Sequence, residues 1–306
     1  MAVGYLGAPE KPEIPLLSDR VRGTVALLGR RGYAVAPSRL AAICLGGRVT
    51  EADVRWAVAA SPDLEISQDL VLEQDSLERA PDIRSRALAH ESESRRYVEL
   101  TIAFVRRLVA VAPFIQSVSI AGSLASGGFR PSDDVDLNLI VDDGRRHLAY
   151  VVVNSLGLVH ALRHRSKPVD DLTRRPIAPR LMTVNLVLER SQCRPLRRLD
   201  QDMAFELLIA EPVFGLEVFH EIVASNPRLL EHFPQLEDRT ASLAIDAPAR
   251  RMPKGLFPAF LDFPARHLGE AAWRYMQWTR RDRPNALARV AYVRSTMRPY
   301  TLFDRS

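Results

Sequence analysis

Cysteine is scarce in this chain, and long apolar runs are absent. Only Cys44 and Cys193 occur among 306 residues, far apart and in no metal-ligand spacing, which argues against a disulfide framework and against a cysteine zinc site. The most apolar stretch, residues 148–162, is too short to span a bilayer. The N-terminus lacks the basic segment and apolar core that are typical of a signal peptide. We therefore expect a cytoplasmic protein that does not contact a membrane.

The positive charge is distributed unevenly along the chain. Residues 19–75 hold seven arginines against eight acids, for a net charge of −1. Residues 145–198 hold twelve lysines and arginines against three acids, a net charge of +9, and residues 240–306 hold twelve against five, a net charge of +7. Such basic regions favour a polyanionic substrate or partner. A solvated arginine-rich surface is the alternative that composition leaves open.

One stretch in the middle of the chain carries the strongest pattern, VSIAGSLASGGFRPSDDVDLNLIV, residues 118–141. Its two apolar runs predict two strands, joined by a Gly-Ser turn and a short polar connection. Because strand residues alternate faces, Asp134 and Asp136 are predicted to point the same way. Two facing carboxylates suit a divalent cation, and Mg²⁺ favours one or two carboxylates together with substrate phosphate oxygens. Gly122 permits close backbone approach, and the N–H groups near Ser123 can receive a phosphate.

This pattern of Gly-Ser, about ten residues and Asp-x-Asp resembles the nucleotidyltransferase superfamily that includes DNA polymerase β. The resemblance implies a mixed-sheet α+β domain, a reaction that depends on Mg²⁺ or Mn²⁺, and a nucleoside triphosphate substrate. It implies that Asp134 and Asp136 hold the metal, and that Gly122, Ser123 and Ser126 bind the nucleotide. A further likeness, past Asn185 to Pro234, is to uncharacterised bacterial and archaeal proteins that carry this domain mid-chain.

A later strand, predicted from the alternating pattern LMTVNLVLE at residues 181–189, departs from that superfamily. The superfamily usually places a third carboxylate on such a strand, and the matching catalytic position here is predicted to be Asn185. An amide carries no negative charge and cannot act as a base. We therefore expect weak binding of a second metal and slow chemistry, and we expect Asn185→Asp to supply the missing carboxylate.

The N-terminal part predicts a loose arm at residues 1–17, then three short helices and a hairpin around Gln68 and Asp69. This order, over residues 18–75, resembles a winged helix, for which DNA binding is the usual inference. The third predicted helix offers only Arg48 and Arg55 against nearby acids, whereas DNA readers need positive charge to meet phosphates. We expect a packing or partner module that does not bind DNA.

The remaining segments complete the predicted domain organisation. A linker precedes a long helix that begins the nucleotidyltransferase domain, residues 83–198. A helical C-terminal region, residues 199–306, follows, and its segment 199–222 is helical in pattern. His147, His160 and His164 are not in ligand spacing with one another, which favours structural histidines over a metal site. The polar loop at residues 166–179 carries Lys167, Arg174 and Arg175, which could border the triphosphate or the acceptor.

Two classes of function remain open on the sequence. The first is an enzyme that transfers a nucleotidyl group from a nucleoside triphosphate to an RNA, protein or small-molecule acceptor and releases pyrophosphate. The second is a nucleotide-sensing or nucleic-acid-binding protein that keeps the fold with little or no catalysis, which Asn185 favours. Aromatic residues interleaved with arginines at residues 261–283 suit stacking on single-stranded nucleic acid, but a helix with a core face and a solvated face gives the same pattern.

Overall fold

A computed structural model describes residues 16–164, 168 and 181–303. The predicted arm and the basic loop with Lys167, Arg174 and Arg175 therefore lie almost wholly outside the described residues. Within them, helices surround a mixed sheet, which confirms the predicted α+β class. No helix in these ranges is both long and apolar enough to cross a membrane.

The N-terminal part folds as three helices followed by an antiparallel hairpin. The elements are α1 (Leu17–Gly29), α2 (Pro37–Ala42), α3 (Glu51–Ala59), β1 (Leu64–Ser67) and β2 (Leu70–Glu73). The hairpin turns at Gln68 and Asp69, whose φ angles of 51° and 64° match the left-handed turn that tight hairpins prefer. Thr50 and Asp53 cap α3 reciprocally. The predicted order of elements is confirmed, and the likeness to a winged helix stays a prediction.

The predicted linker before the long helix is wrong, because a 3₁₀ helix (Gln74–Arg79) runs directly into that helix. The middle of the chain then supplies three strands of the sheet. The elements are α4 (Ala80–Val111), β3 (Ile115–Ala121), α5 (Gly122–Ser126), β4 (Val135–Val141), α6 (Arg146–Leu162) and β5 (Met182–Glu189). β4 pairs antiparallel with β3 and parallel with β5.

The C-terminal region contributes a strand as well as helices. Its elements are α7 (Gln201–Ile209), β6 (Glu211–Phe214), α8 (Leu216–Ala224), α9 (Arg228–His232), α10 (Asp262–Thr279) and α11 (Pro284–Met297). β6 pairs with β3, which gives the sheet order β5-β4-β3-β6. The prediction of one helix over residues 199–222 is therefore wrong, and the predicted helical C-terminal region also contains a strand. Pro212 and Gly215 interrupt the apolar pattern there, and residues 211–214 pair with the free edge of β3.

The two faces of the sheet belong to two hydrophobic cores. On one face, the alternate residues of β4 that begin with Val135 pack against α4 and α6. On the other face, Ile140, Leu186 and Leu188 join a core that also contains α1 to α3 and α7 to α9. The N-terminal part and the start of the C-terminal region thus share one core with the sheet. Buried contacts of this core cross residues 75 and 198. The domain boundaries predicted at these residues stay predictions.

His160 is a buried histidine in α6, set between the rings of Phe104 and His164 at centroid distances of 5.7 and 4.8 Å. Neither ring nitrogen has a hydrogen-bond partner within the described part of the chain. Burial, and then the positive charges of His164, Arg107 and Arg163, lower the pKa of this imidazole. The folded protein therefore holds His160 neutral, whereas the unfolded chain binds a proton below about pH 6.5.

This histidine predicts a loss of stability in acid. Because the unfolded state binds more protons, the free energy of unfolding should fall as the pH drops below about 6.5. His160→Leu should flatten this dependence between pH 5 and 7, measured by urea unfolding. Leu158→Ala, at an exposed position of the same helix, gives the control, since it removes no titratable group and should leave the pH dependence unchanged. Equal slopes for the parent and His160→Leu would contradict the assignment.

Candidate functional site

The two predicted aspartates lie at the beginning of β4, at one wall of a large cavity. Asp136 pairs in register with Ala121 of β3 and with Thr183 of β5. Its Oδ1 accepts a hydrogen bond from the Thr183 hydroxyl at 2.8 Å. Asp134 precedes the strand by one residue, and both aspartates line the cavity. The intervening Val135 is buried in the opposite core, so strand alternation holds both carboxylates on the cavity side.

Gly122 brings the end of β3 against the Asp136 carboxylate. Its φ is +62°, and a Cβ at this position would overlap Oδ2 of Asp136. The close approach therefore requires glycine on two counts, backbone conformation and space. Ser123 also lines the cavity. Ser126 lies outside its lining, because the Ser126 hydroxyl donates to the Gly122 carbonyl at 2.9 Å within α5. A direct nucleotide contact by Ser126 stays a prediction.

Asn185 lines the same cavity wall as the two aspartates but is not the strand neighbour of Asp136. Thr183 pairs with Asp136, and the β4–β5 register then shifts between Leu137 and Asn138, which places the bulge at Asn185. The Asn185 amide nitrogen donates to Asn138 Oδ1 and to Glu206 Oε1, both at 2.9 Å. The residue beside Asp136 is thus a threonine, and Asn185 belongs to a second polar group on the same wall.

Glu206 is a buried cavity residue to which the sequence interpretation assigned no role. Its side chain is only 5% exposed, and it accepts a second hydrogen bond from the Asn138 amide nitrogen at 3.1 Å. It comes from α7 and lines the same cavity as Asp134 and Asp136. A signal was present in the sequence, because Glu206 is the only charged residue in the apolar run MAFELLI, residues 203–209.

The cavity has a volume of about 830 Å³, which is within the range of small-molecule sites. Its wall combines residues of the N-terminal helices, the sheet, α7 and the C-terminal helices. The charged residues of this lining are seven arginines and five carboxylates: Arg30, Arg31, Arg79, Arg86, Arg130, Arg280, Arg294, Asp82, Asp133, Asp134, Asp136 and Glu206. The excess of positive charge suits a polyanionic ligand.

The connection between α5 and β4 is anchored to α4. Asp133 accepts from Arg86 of α4 at 3.3 Å and from the backbone N–H of Arg130 at 3.1 Å. Arg130 in turn pairs with Asp82, and Tyr33 of the N-terminal part packs against Gly128 so closely that a Cβ there would overlap its ring. These contacts hold the aspartates in place. They also engage Asp133 as a structural anchor.

The residues at this wall fit a single hard cation. Asp134 and Asp136 offer carboxylate oxygens, the donor type that Mg²⁺ and Mn²⁺ prefer. Because residue 122 is glycine, no side chain overlaps Oδ2 of Asp136. Among the described residues, no group of three or more His, Cys, Asp and Glu side chains gathers in metal-binding geometry. The remaining ligands of such a cation would therefore come from the substrate and water.

His147 pairs with a carboxylate of α10. Its Nδ1 lies 2.7 Å from Asp262 Oδ2, which joins α6 to α10. His147 also packs against the ring of Phe303. This pairing gives the histidine a structural contact between helices.

Comparisons of the chain with protein-family models, with curated proteins and with solved structures find no match. The function must therefore be argued from the site itself.

The close approach at Gly122 predicts a specific cost of substitution. Gly122→Ala should lower the free energy of unfolding by about 1–3 kcal/mol from backbone strain alone, with a further loss because Asp136 must move. Gly127→Ala is the matched control, since its φ is +94° but a Cβ there meets nothing within 4 Å. Denaturant unfolding should show the larger loss for Gly122→Ala, and equal losses would contradict the contact with Asp136.

The position of Asn185 reverses the expectation drawn from the sequence. Asn185→Asp would remove the donor to Glu206 and set two carboxylates against each other, rather than supply a ligand beside Asp136. We expect it to lower the free energy of unfolding by about 2 kcal/mol or more. Asn154→Asp, which loses one bond to the Tyr150 carbonyl, should cost only about 1 kcal/mol. A stable Asn185→Asp protein with tighter Mn²⁺ binding would restore the sequence-based view.

Proposed function

We propose that this chain is a polymerase β-like nucleotidyltransferase. It transfers a nucleotidyl group from a nucleoside triphosphate to an acceptor hydroxyl or amine and releases pyrophosphate. The observation that carries the proposal is the contact of Gly122 with Asp136 beside Asp134 at the cavity wall. Strand, glycine turn and paired carboxylates meet there at one point, which is where a triphosphate and its cation would be held together.

The charge of the cavity supports a polyphosphate substrate. A bare cavity with an excess of arginine attracts anions, yet Asp134 and Asp136 would repel a triphosphate that arrived alone. Mg²⁺ or Mn²⁺, when bound by these two carboxylates, would neutralise charge on the phosphate oxygens and align them for in-line displacement. The arginines of the cavity wall would then face the remaining phosphate charge.

The Gly122–Ser123 turn would supply the backbone approach for the terminal phosphates. Thr183 assists by holding Oδ1 of Asp136, and Oδ2 of the same carboxylate lies beside Gly122. The reaction class is compatible with an RNA, a protein or a small molecule as the acceptor. Acceptor choice depends on the shape and polar groups of the cavity and not on the fold.

A nucleotide-sensing protein with little or no catalysis is the second candidate. The specific observation in its favour is that Thr183, a neutral residue, stands beside Asp136. A site with only two adjacent carboxylates can bind a nucleotide together with one cation, while its rate of transfer stays low. Measurement of transfer separates the two candidates, because both require nucleotide binding and only the first requires pyrophosphate release.

Substitution of the two aspartates tests the site. Asp134→Asn with Asp136→Asn should abolish Mg²⁺-dependent binding of nucleoside triphosphates, because the amides carry no charge for the cation. Calorimetry with each triphosphate measures this directly. Labelled triphosphates with RNA, protein and metabolite acceptors then report transfer. Asp69→Asn, at the exposed hairpin turn, is the matched control and should bind as the parent does. Unchanged binding by the double variant would overturn the site.

A further inference from the structure

We propose that Glu206 is the acceptor-activating carboxylate of this cavity. It binds the nucleophilic hydroxyl or amine of the acceptor and takes its proton during transfer. This inference rests on the proposed nucleotidyltransferase function and assigns to it a residue that lies outside the motif stretch. The residue comes from a helix, α7, and not from the sheet that carries the two aspartates.

The environment of Glu206 is that of a buried carboxylate kept for a ligand. Burial of a charge is costly unless it is paired. Among the described residues, the only hydrogen bonds to this carboxylate come from two neutral amides. Asn138 and Asn185 both donate to the same oxygen, Oε1. The second oxygen, Oε2, receives no hydrogen bond from the described part of the chain, and the residue lines the cavity. An acceptor group entering the cavity would supply the missing donor.

Arg31, which follows α1, is engaged by other residues of α7. Arg31 stacks over the ring of Phe205 and pairs with Asp202 at 3.3 Å. Arg31 thus contacts the residue that precedes Glu206, but it pairs with a different carboxylate of α7. Arg31 therefore forms no ion pair with Glu206.

The strand register places this carboxylate at a useful separation from the metal-binding pair. Asn138 lies two residues beyond Asp136 on the same face of β4, which is about 6.6 Å along a strand. Glu206 contacts the side chain of Asn138. An acceptor group bound at Glu206 would thus be separated from a phosphate held at Asp136 by about two residues along β4. That separation leaves room for the acceptor atom between the two.

The proposed step balances without any further reactant. The acceptor O–H or N–H gives its proton to Glu206, and its lone pair forms a new bond to the α-phosphorus. The bond between the α-phosphorus and the bridging oxygen breaks, and pyrophosphate leaves with that electron pair. Asn138 and Asn185 act as positioning residues, because they fix the orientation of the carboxylate by holding Oε1.

Glu206→Gln tests this role in the full-length chain. The glutamine keeps an Oε1 that can accept from both asparagines, so the fold should be retained, but its amide nitrogen cannot take a proton. Affinity for Mg²⁺ and triphosphate by calorimetry should stay within about twofold of the parent. Transfer to the acceptor identified by the panel, or to water, should fall by about 100-fold or more, as expected for loss of a general base.

The split between kcat and KM distinguishes a base from a structural carboxylate. Loss of a base should lower kcat for transfer and leave the KM for the triphosphate within about twofold of the parent, whereas a structural loss should change both. Glu206→Asp should regain part of the lost kcat, because the shorter side chain still carries a base; it also serves if the glutamine variant fails to fold. Glu217→Gln, on the exposed side of α8, controls for the loss of one carboxylate and should match the parent.

The outcomes separate this inference from the function on which it rests. A parent that binds no triphosphate overturns both proposals. A parent that binds triphosphate but transfers it neither to an acceptor nor to water overturns the role of Glu206 and leaves the nucleotide site standing. A Glu206→Gln protein that reacts as fast as the parent, or whose KM rises as much as its kcat falls, overturns the Glu206 assignment alone.

Discussion

The antiparallel pairing of β3 and β4 is the constraint on which the site depends. In that register Ala121 lies opposite Asp136, so the chain leaving β3 must turn directly over the carboxylate. Only glycine at residue 122 satisfies both the positive φ and the lack of space there. The opposite face of β4 is packed against α4 and α6, which prevents the strand from rotating to relieve the contact. The same packing that stabilises the core therefore holds the carboxylates in the cavity.

Much of this arrangement follows from local pattern in the sequence. Alternation in VDLNLIV assigns Val135 to the core and Asp136 to the other face, and the structure agrees. The bulge in β5 could not be found in the same way, because a regular strand and a bulged strand give the same apolar pattern until the partner strand is known. The resemblance therefore matched Asn185 to the third-carboxylate position, whereas the register sets Thr183 beside Asp136.

Long-range pairing explains the other misses. β6 reads as part of a helix because its neighbours are apolar, and only the free edge of β3 makes it a strand. Glu206 reads as a stray charge because its partners, Asn138 and Asn185, are 68 and 21 residues away along the chain. Contacts of this kind depend on how α7 packs across the sheet. A lone charge inside an apolar run predicts such a contact but does not name its partner.

The location of the polar groups on one sheet face has an energetic reason. That face also carries Ile140, Leu186 and Leu188, which pack into the core shared with the N-terminal helices. Asn138 and Asn185 stand between this apolar part and the aspartates, and they bond to each other and to Glu206. A fully apolar face would exclude water and ligand from the wall, whereas an unpaired carboxylate there would be destabilising. The amide pair satisfies one oxygen of Glu206, and the ligand that completes the other should be bound in one orientation.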